Sequence, residues 1–360
     1  MVGISIAAGN SRVLAAIDSP NCTYQIAPGK FPFRGDPTTR TREPTDIGIV
    51  TQGFVGLEDA SAVPGIDVSK WQDATDFVFL KACAKLATNA NAPHDGRHPQ
   101  PPFVYVRMTA GEDPDHELEY STHWANARHE NLFVGPYHYL DIIDAKSSAS
   151  KLSADEFSKL LKANLDSADK QARVFIDRFS RLLTLDPAVD VASGDLGKPY
   201  LPIVLDLSDR PQAKYSDDDT IRIGSIYGAA ACRWIAHVRS DPSFEGQPVM
   251  IFTTAYIYKD YHLDSAPCNL REGKVWISQH TVDGERQDRD PDSSAREAAR
   301  QLCVDAAGNS LCLFQQYTSY GGFALFRENA ALDLDRFFGT EADLQGLLQH
   351  AKHPERWEVK

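Results

Sequence analysis

The feature that most restricts this chain is a series of short apolar runs, each closed by a polar residue. They are Gly65–Val68, Phe103–Met108, Phe133–Tyr139, Pro202–Leu207, Val249–Thr253, Lys274–Ser278, Cys312–Tyr317 and Ala331–Leu334. A near-continuous apolar run of this length reads as a strand buried on both faces, the pattern of a parallel sheet. Between the early runs lie stretches with helical spacing. Asp115–Asn131 carries Trp124 and Ala127 on one face, Ala154–Leu183 carries Phe157, Leu160, Leu161, Phe175, Ile176 and Leu182, and Thr220–Arg239 is a third. Strands alternating with helices predict β/α units. Eight such strands in order predict an α/β fold, an irregular TIM-like β/α barrel.

The barrel is expected over residues 61–345, with insertions at about 144–169 and 282–310, the first polar and the second strongly charged. Residues 1–60 are rich in Pro, Gly, Thr and charge, and read as an N-terminal extension of loops and short strands, open to a protein partner. Residues 346–360 read as a C-terminal tail. Hydrophobic residues make up 42% and charged residues 24%, a globular balance that excludes wholesale disorder. The net charge of −13 disfavours a nucleic-acid partner, because phosphates are repelled. No segment approaches the roughly 20 apolar residues of a membrane span. The opening MVGISIAAGNSRVLAAIDSP lacks a basic stretch followed by a long apolar run, so no secretory signal is expected and the compartment stays open.

Neither phosphate-binding glycine pattern occurs, and no Cys or His set has zinc-finger spacing, so neither a cofactor nor a metal is expected. Cys303 and Cys312 flank a short loop that a disulfide could close. Cys22, Cys83, Cys232 and Cys268 read as buried free thiols.

In such a barrel the site lies at the C-terminal ends of the strands. The polar residues closing the runs are therefore the candidates: Asp67, Arg107, Tyr137, Tyr139, Asp206, Ser208, Gln316, Tyr317 and Asp333. Converging carboxylates with aromatic neighbours suit cleavage of a sugar chain. One carboxyl protonates the glycosidic oxygen, another stabilises the oxocarbenium-like transition state, and aromatic faces stack on pyranose rings. Crowded carboxylates also raise one another's pKa, which favours an acid role. Arg107 is expected to orient carboxylates. His138, on the opposite face from Tyr137 and Tyr139, is expected to be a hydrogen-bonded core histidine. Trp71 and Trp276 read as packing residues, and Asp333 as either a site acid or a structural carboxylate.

The segments PGIDVSKWQ, FVYVRMTAG, LFVGPYHY, LPIVLDLS, VWISQ, QQYTS and ALDLDRF resemble, in order, the strand motifs of glycoside hydrolase family 25, the Chalaropsis-type lysozymes or N-acetylmuramidases. The resemblance covers about Pro64 to Gly339. It implies a distorted β/α barrel that cuts the β-1,4 bond after N-acetylmuramic acid in peptidoglycan. It also implies that Asp67 matches the first-strand aspartate, Asp206 the first acid of a D-x-E motif, Asp333 the last-strand aspartate and Tyr137 a substrate-lining tyrosine.

The departures are specific. Ser208 stands where the D-x-E glutamate, the expected general acid, would be. Phe252 and His280 stand where tyrosines are usual, and Gln315 where tryptophan precedes Gln-Tyr. Strand alternation puts residues 206 and 208 on one face and Asp209 on the other. Losing a positioned general acid costs roughly 10²–10⁴ in rate. Asp67, Asp141 and Asp209 are the carboxyls available to replace it. Two functions are thus expected: a peptidoglycan-directed muramidase, active or weakened, or a catalytically inactive protein that binds glycan or forms a structural part of a larger assembly such as a phage virion or delivered effector.

Overall fold

The computed structural model describes residues 62–71, 103–144, 152–185, 195–209, 217–279, 299–321 and 332–352. The extension 1–60, most of the insertion 282–310, His280, Cys22 and Cys83 lie outside these residues, as does the Tyr317 side chain.

Eight strands close a barrel in the order β1 (Ala62–Val68), β2 (Phe103–Ala110), β3 (Phe133–Tyr139), β5 (Ile203–Asp206), β6 (Val249–Thr254), β7 (Val275–Ser278), β8 (Cys312–Gly321) and β9 (Leu332–Phe338). The seven strands from β1 to β8 run parallel, each paired with the next. β9 is antiparallel to both β8 and β1 and closes the ring between them. Its N-terminal end therefore lies at the C-terminal ends of the other strands. That reversal brings Asp333 level with Asp67 as a register partner.

A second sheet of two antiparallel strands pairs β4 (Asp195–Tyr200) with β10 (Gln349–Lys352). Residues 349–352, read from sequence as tail, are thus a strand. Among the described residues no helix is long and apolar enough to cross a membrane.

Side chains alternate between two cores. Val63, Phe103, Tyr105, Tyr137, Val204, Met250, Phe252, Trp276, Phe314 and Phe337 pack inside the barrel. Ile66, Val104, Val106, Leu205, Ile251 and Ile277 face outward into the helical layer. The inner aromatics pack edge-on or tilted, with Tyr105 4.7 Å from Trp276 and 5.5 Å from Phe314. Space for them comes from two strand glycines. A Cβ on Gly65 would lie 2.1 Å from the Phe103 ring, and one on Gly135 2.2 Å from the Tyr105 ring.

The helices follow the apolar spacing. α1 (Tyr120–His129) buries Trp124 and Ala127. It starts five residues later than the spacing suggested, because the preceding turn folds Glu117 inward. α2 (Ala154–Leu185) begins where Ser153 and Glu156 bond reciprocally, with the Glu156 N–H donating to Ser153 Oγ at 3.2 Å and the Ser153 N–H to Glu156 Oε2 at 2.9 Å. Its first half, residues 154–169, falls within the expected insertion 144–169, and it turns polar side chains inward. Asn164 bonds both main-chain groups of Ile143, and Gln171 bonds those of Asp141, so α2 pins the loop leaving β3. α3 (Asp217–Ser240) packs beside it, and α4 (Ala255–Asp260) and α5 (Glu341–Gln345) are short.

Cys232 on α3 is bonded to Cys268, which corrects the expectation of free thiols there. Their separation of 36 residues carries no local pairing signal. Cys303 and Cys312 are bonded across their loop.

Candidate active site

The inward face of β1 places Asp67 at the mouth, above Gly65. It is buried, and donors surround it. Tyr137 Oη donates to Oδ1 at 3.1 Å, and Gln316 Nε2 donates to Oδ2 at 2.8 Å. The Gln316 amide is oriented in turn by Ser278 Oγ, which donates to its Oε1 at 3.0 Å. Asp335, two residues beyond Asp333 and so on the same inward face, hydrogen bonds the Asp67 side chain. Trp276 Nε1 donates to Asp335 Oδ1 at 3.1 Å, while Oδ2 is buried with no donor facing it.

Burial first, then the charges of Asp67 and Asp333, push the Asp335 carboxyl well above the usual carboxylate range. A protonated Asp335 resolves the arrangement, since it donates to Asp67. Asp67 is raised by burial, opposed by its bonds from Gln316, Tyr137 and Asp335. Asp333, partly exposed at the rim, is raised well above its ordinary value by burial, with the charge of Asp67 adding to it.

Asp206 ends β5 beside this group, in register with Tyr139 on one side and Phe252 on the other. Burial pushes its carboxyl from 3.8 up to about 7, against the lowering effects of the Ser208 hydroxyl and Arg107. The Ser208 N–H donates to Oδ1 at 2.9 Å. Ser208 thus caps Asp206 and offers the site no carboxyl. Asp209 turns to the loop beyond β3, where Oδ2 accepts from the Ile142 N–H at 3.2 Å. Tyr139, half-buried, is raised by burial and by the charges of Asp209 and Asp206, so its hydroxyl keeps its proton. Asp141 is raised by burial and by Asp209, and stands at the exposed rim.

Arg107, on the inward face of β2, pairs with the buried Glu117, Nε to Oε1 at 2.7 Å. Its positive charge acts on Asp206, Asp67 and Asp333 alike. His138 faces the helical layer. Its Nε2–H donates to Gln171 Oε1 at 3.0 Å, Nδ1 accepts from the Thr109 hydroxyl at 2.7 Å, and its ring stacks on Trp234. Burial lowers it to about 3, so it is a neutral core residue.

The structure therefore brings Asp67, Asp206, Asp333, Tyr137, Gln316 and Arg107 to one rim. Two residues of this cluster are absent from the sequence reading. Asp335 was signalled by its two-residue spacing from Asp333, whereas Glu117, in a turn, carried no pattern. Trp276 packs in the barrel as expected, whereas Trp71 is 71% exposed at the end of β1 and is not a packing residue. Among the described residues no group of His, Cys, Asp and Glu is arranged to hold a metal ion.

No protein-family model and no curated protein matches the sequence. Solved structures do. The catalytic domain of an endolysin from bacteriophage P40 of Listeria monocytogenes is 15% identical, over 80% of this chain and 97% of that one, with a TM-score of 0.43. The lysozyme of Streptomyces coelicolor is 18% identical over 80% and 98%, at 0.41. A glycosyl hydrolase 25 of Streptococcus pneumoniae is 16% identical over 80% and 91%, at 0.39. The last bears the name of the family that the strand motifs resemble.

Proposed function

We propose that the chain is a lysozyme-like glycoside hydrolase that cuts peptidoglycan at the β-1,4 bond after N-acetylmuramic acid. The observation that carries this reading is the set of acids at the C-terminal end of the parallel strands, Asp67, Asp206 and Asp333, held by Tyr137, Gln316 and Arg107. Asp206, which keeps its proton below about pH 7, is the donor to the glycosidic oxygen. As the C–O bond breaks, that proton goes to the leaving sugar. Positive charge developing at the anomeric carbon is stabilised by the carboxylate of the Asp67–Asp335 pair. Water then adds to that carbon and returns a proton to Asp206. Tyr137 and Gln316 hold Asp67 in place and keep it poorly hydrated.

The test is release of new reducing ends and muropeptides from purified peptidoglycan of several wall types. Wild-type protein is expected to release product and Asp206→Asn to lose roughly 10² or more of the rate.

A second reading, an inactive glycan-binding or structural protein, is favoured by one observation. Ser208 occupies the position of the expected acid and spends its donors on Asp206. No product from any wall, with activity appearing in Ser208→Glu, would establish that reading and overturn the first.

A further inference from the structure

Beside the acids, the mouth carries a group of the opposite sign. Lys70 follows β1, and its main-chain N–H donates to Glu117 Oε2 at 2.8 Å, so the loops after β1 and β2 are tied together. Its ammonium lies 2.7 Å from His116 Nε2 and 5.1 Å from the centre of the Trp71 ring. An ammonium only donates, so Nε2 accepts, and the imidazole proton sits on Nδ1, which donates to Glu117 Oε1 at 3.0 Å. His116 thereby fixes the ammonium in place and occupies one of its three donors. The other two have no partner among the described residues.

The Trp71 indole is 71% exposed, and Leu118, next to Glu117, is 64% exposed. Both stand on the loops that Glu117 joins. An exposed indole face beside a cation held in place suits a particular ligand. A pyranose ring presents C–H groups to an indole, and an anionic substituent on the ring reaches the ammonium. Elsewhere in the mouth the Asp67 carboxylate repels an anion, and the Arg107 guanidinium is paired with Glu117. Lys70 is thus the point at which an acidic sugar can be told from a neutral one.

We propose that Lys70, His116 and Trp71 form a subsite for a carboxylate-bearing sugar of the glycan, with the ring on the indole and the carboxylate on the ammonium. This rests on the glycan reading above and adds to it a selection between acidic and neutral chains. The carboxylate has two sources in peptidoglycan: the lactyl acid of a muramic residue freed of peptide, or the acids of an attached stem peptide.

The test uses the full chain with four soluble probes, followed by calorimetry and by product release. They are a muramic-acid-containing tetrasaccharide with free lactyl acid, its lactyl amide, the same chain bearing stem peptides, and neutral chitotetraose. Wild-type protein is expected to bind one carboxylate-bearing chain about tenfold more tightly than the amide or chitotetraose. Lys70→Met should reduce that ratio to about one while leaving chitotetraose affinity within about twofold, and Trp71→Ala should weaken every probe. Whichever acidic chain is favoured identifies the source. Equal binding of acidic and neutral chains, or a preference that survives Lys70→Met, overturns the subsite while the glycan reading stands. Neither binding nor cleavage of any probe overturns both.

Discussion

Asp206 provides the sharpest quantitative test, because its burial has an energetic consequence separable from catalysis. In the folded protein its carboxyl is raised from 3.8 to about 7, chiefly by burial. A carboxyl whose folded value lies above its unfolded value stabilises the protein fully only below the unfolded value. That contribution is lost as pH climbs from about 4 through about 7, since the unfolded chain releases the proton and the folded chain resists doing so. The interval corresponds to about 4 kcal/mol at about 1.4 kcal/mol per pH unit.

Asparagine cannot ionise, and its Oδ1 still accepts from the Ser208 N–H. Asp206→Asn is therefore expected to be close to neutral at pH 4, apart from about 1 kcal/mol for altered hydrogen bonding. At pH 8 it should be more stable than wild type by about 3 kcal/mol. The assay is urea unfolding of both proteins at the two pH values. With a slope of about 3 kcal/mol per molar urea, the midpoint of the variant at pH 8 should rise by about 1 M. The protons on Asp67, Asp333 and Asp335 contribute to both proteins and largely cancel in the difference. An Asp206→Asn midpoint that is lower than wild type by the same amount at both pH values would refute the claim that burial holds the proton.

If Asp206 is the proton donor, cleavage should fall about tenfold per unit as pH rises above about 7. Ser208→Ala removes a hydroxyl that lowers the Asp206 carboxyl, so this alkaline limb should move to higher pH, as a pH–rate profile on peptidoglycan would record. Removing the Cys232–Cys268 disulfide by paired substitution to alanine opens a loop of 36 residues, for which chain entropy gives a loss of about 4 kcal/mol. Urea midpoints with and without reductant would check it. Gly135→Ala puts a methyl 2.2 Å from the Tyr105 ring at the floor of the site, and should cost about 1–3 kcal/mol, read as a lower thermal midpoint with intact helical circular dichroism.

How far the sequence carried can be seen residue by residue. The strands from β1 to β9 in the barrel fall on the eight apolar runs, because burial on both faces leaves a continuous signal. Strand direction leaves none, so the reversal of β9 that sets Asp333 opposite Asp67 was not legible. The strand Asp195–Tyr200, sequence DLGKPY, has neither alternation nor an apolar run, and its partner Gln349–Lys352 sat in apparent tail. Asp67 and Asp206 were legible because each is the first carboxylate after a buried run. Asp335 shares the two-residue spacing signal with Asp333, but its contacts with Trp276 and Asp67 carry no mark in the sequence. Glu117 and Lys70 lie in turns, where side-chain partners depend on the path of two loops and not on any period.

Ser208 alters the electrostatics of the site as well as its proton inventory. A glutamate at 208 would place a second acid beside Asp206 and raise its pKa by repulsion. Serine does the reverse, since its hydroxyl and amide both stabilise the charged form of Asp206. The proton on Asp206 is therefore retained against Ser208, and the cause is dehydration by the floor beneath it. That floor is built from Tyr105, Trp276, Phe252 and Phe314, which pack together because Gly65 and Gly135 admit the Phe103 and Tyr105 rings. Phe252, which pairs in register with Asp206, adds to it an apolar ring where a tyrosine would bring a hydroxyl. The two departures thus bear on one carboxyl: the phenylalanine brings no hydroxyl to the strand beside Asp206, while the serine supplies two bonds to it. The proton on Asp206 is thus governed by the packing under it more than by the residue two positions later.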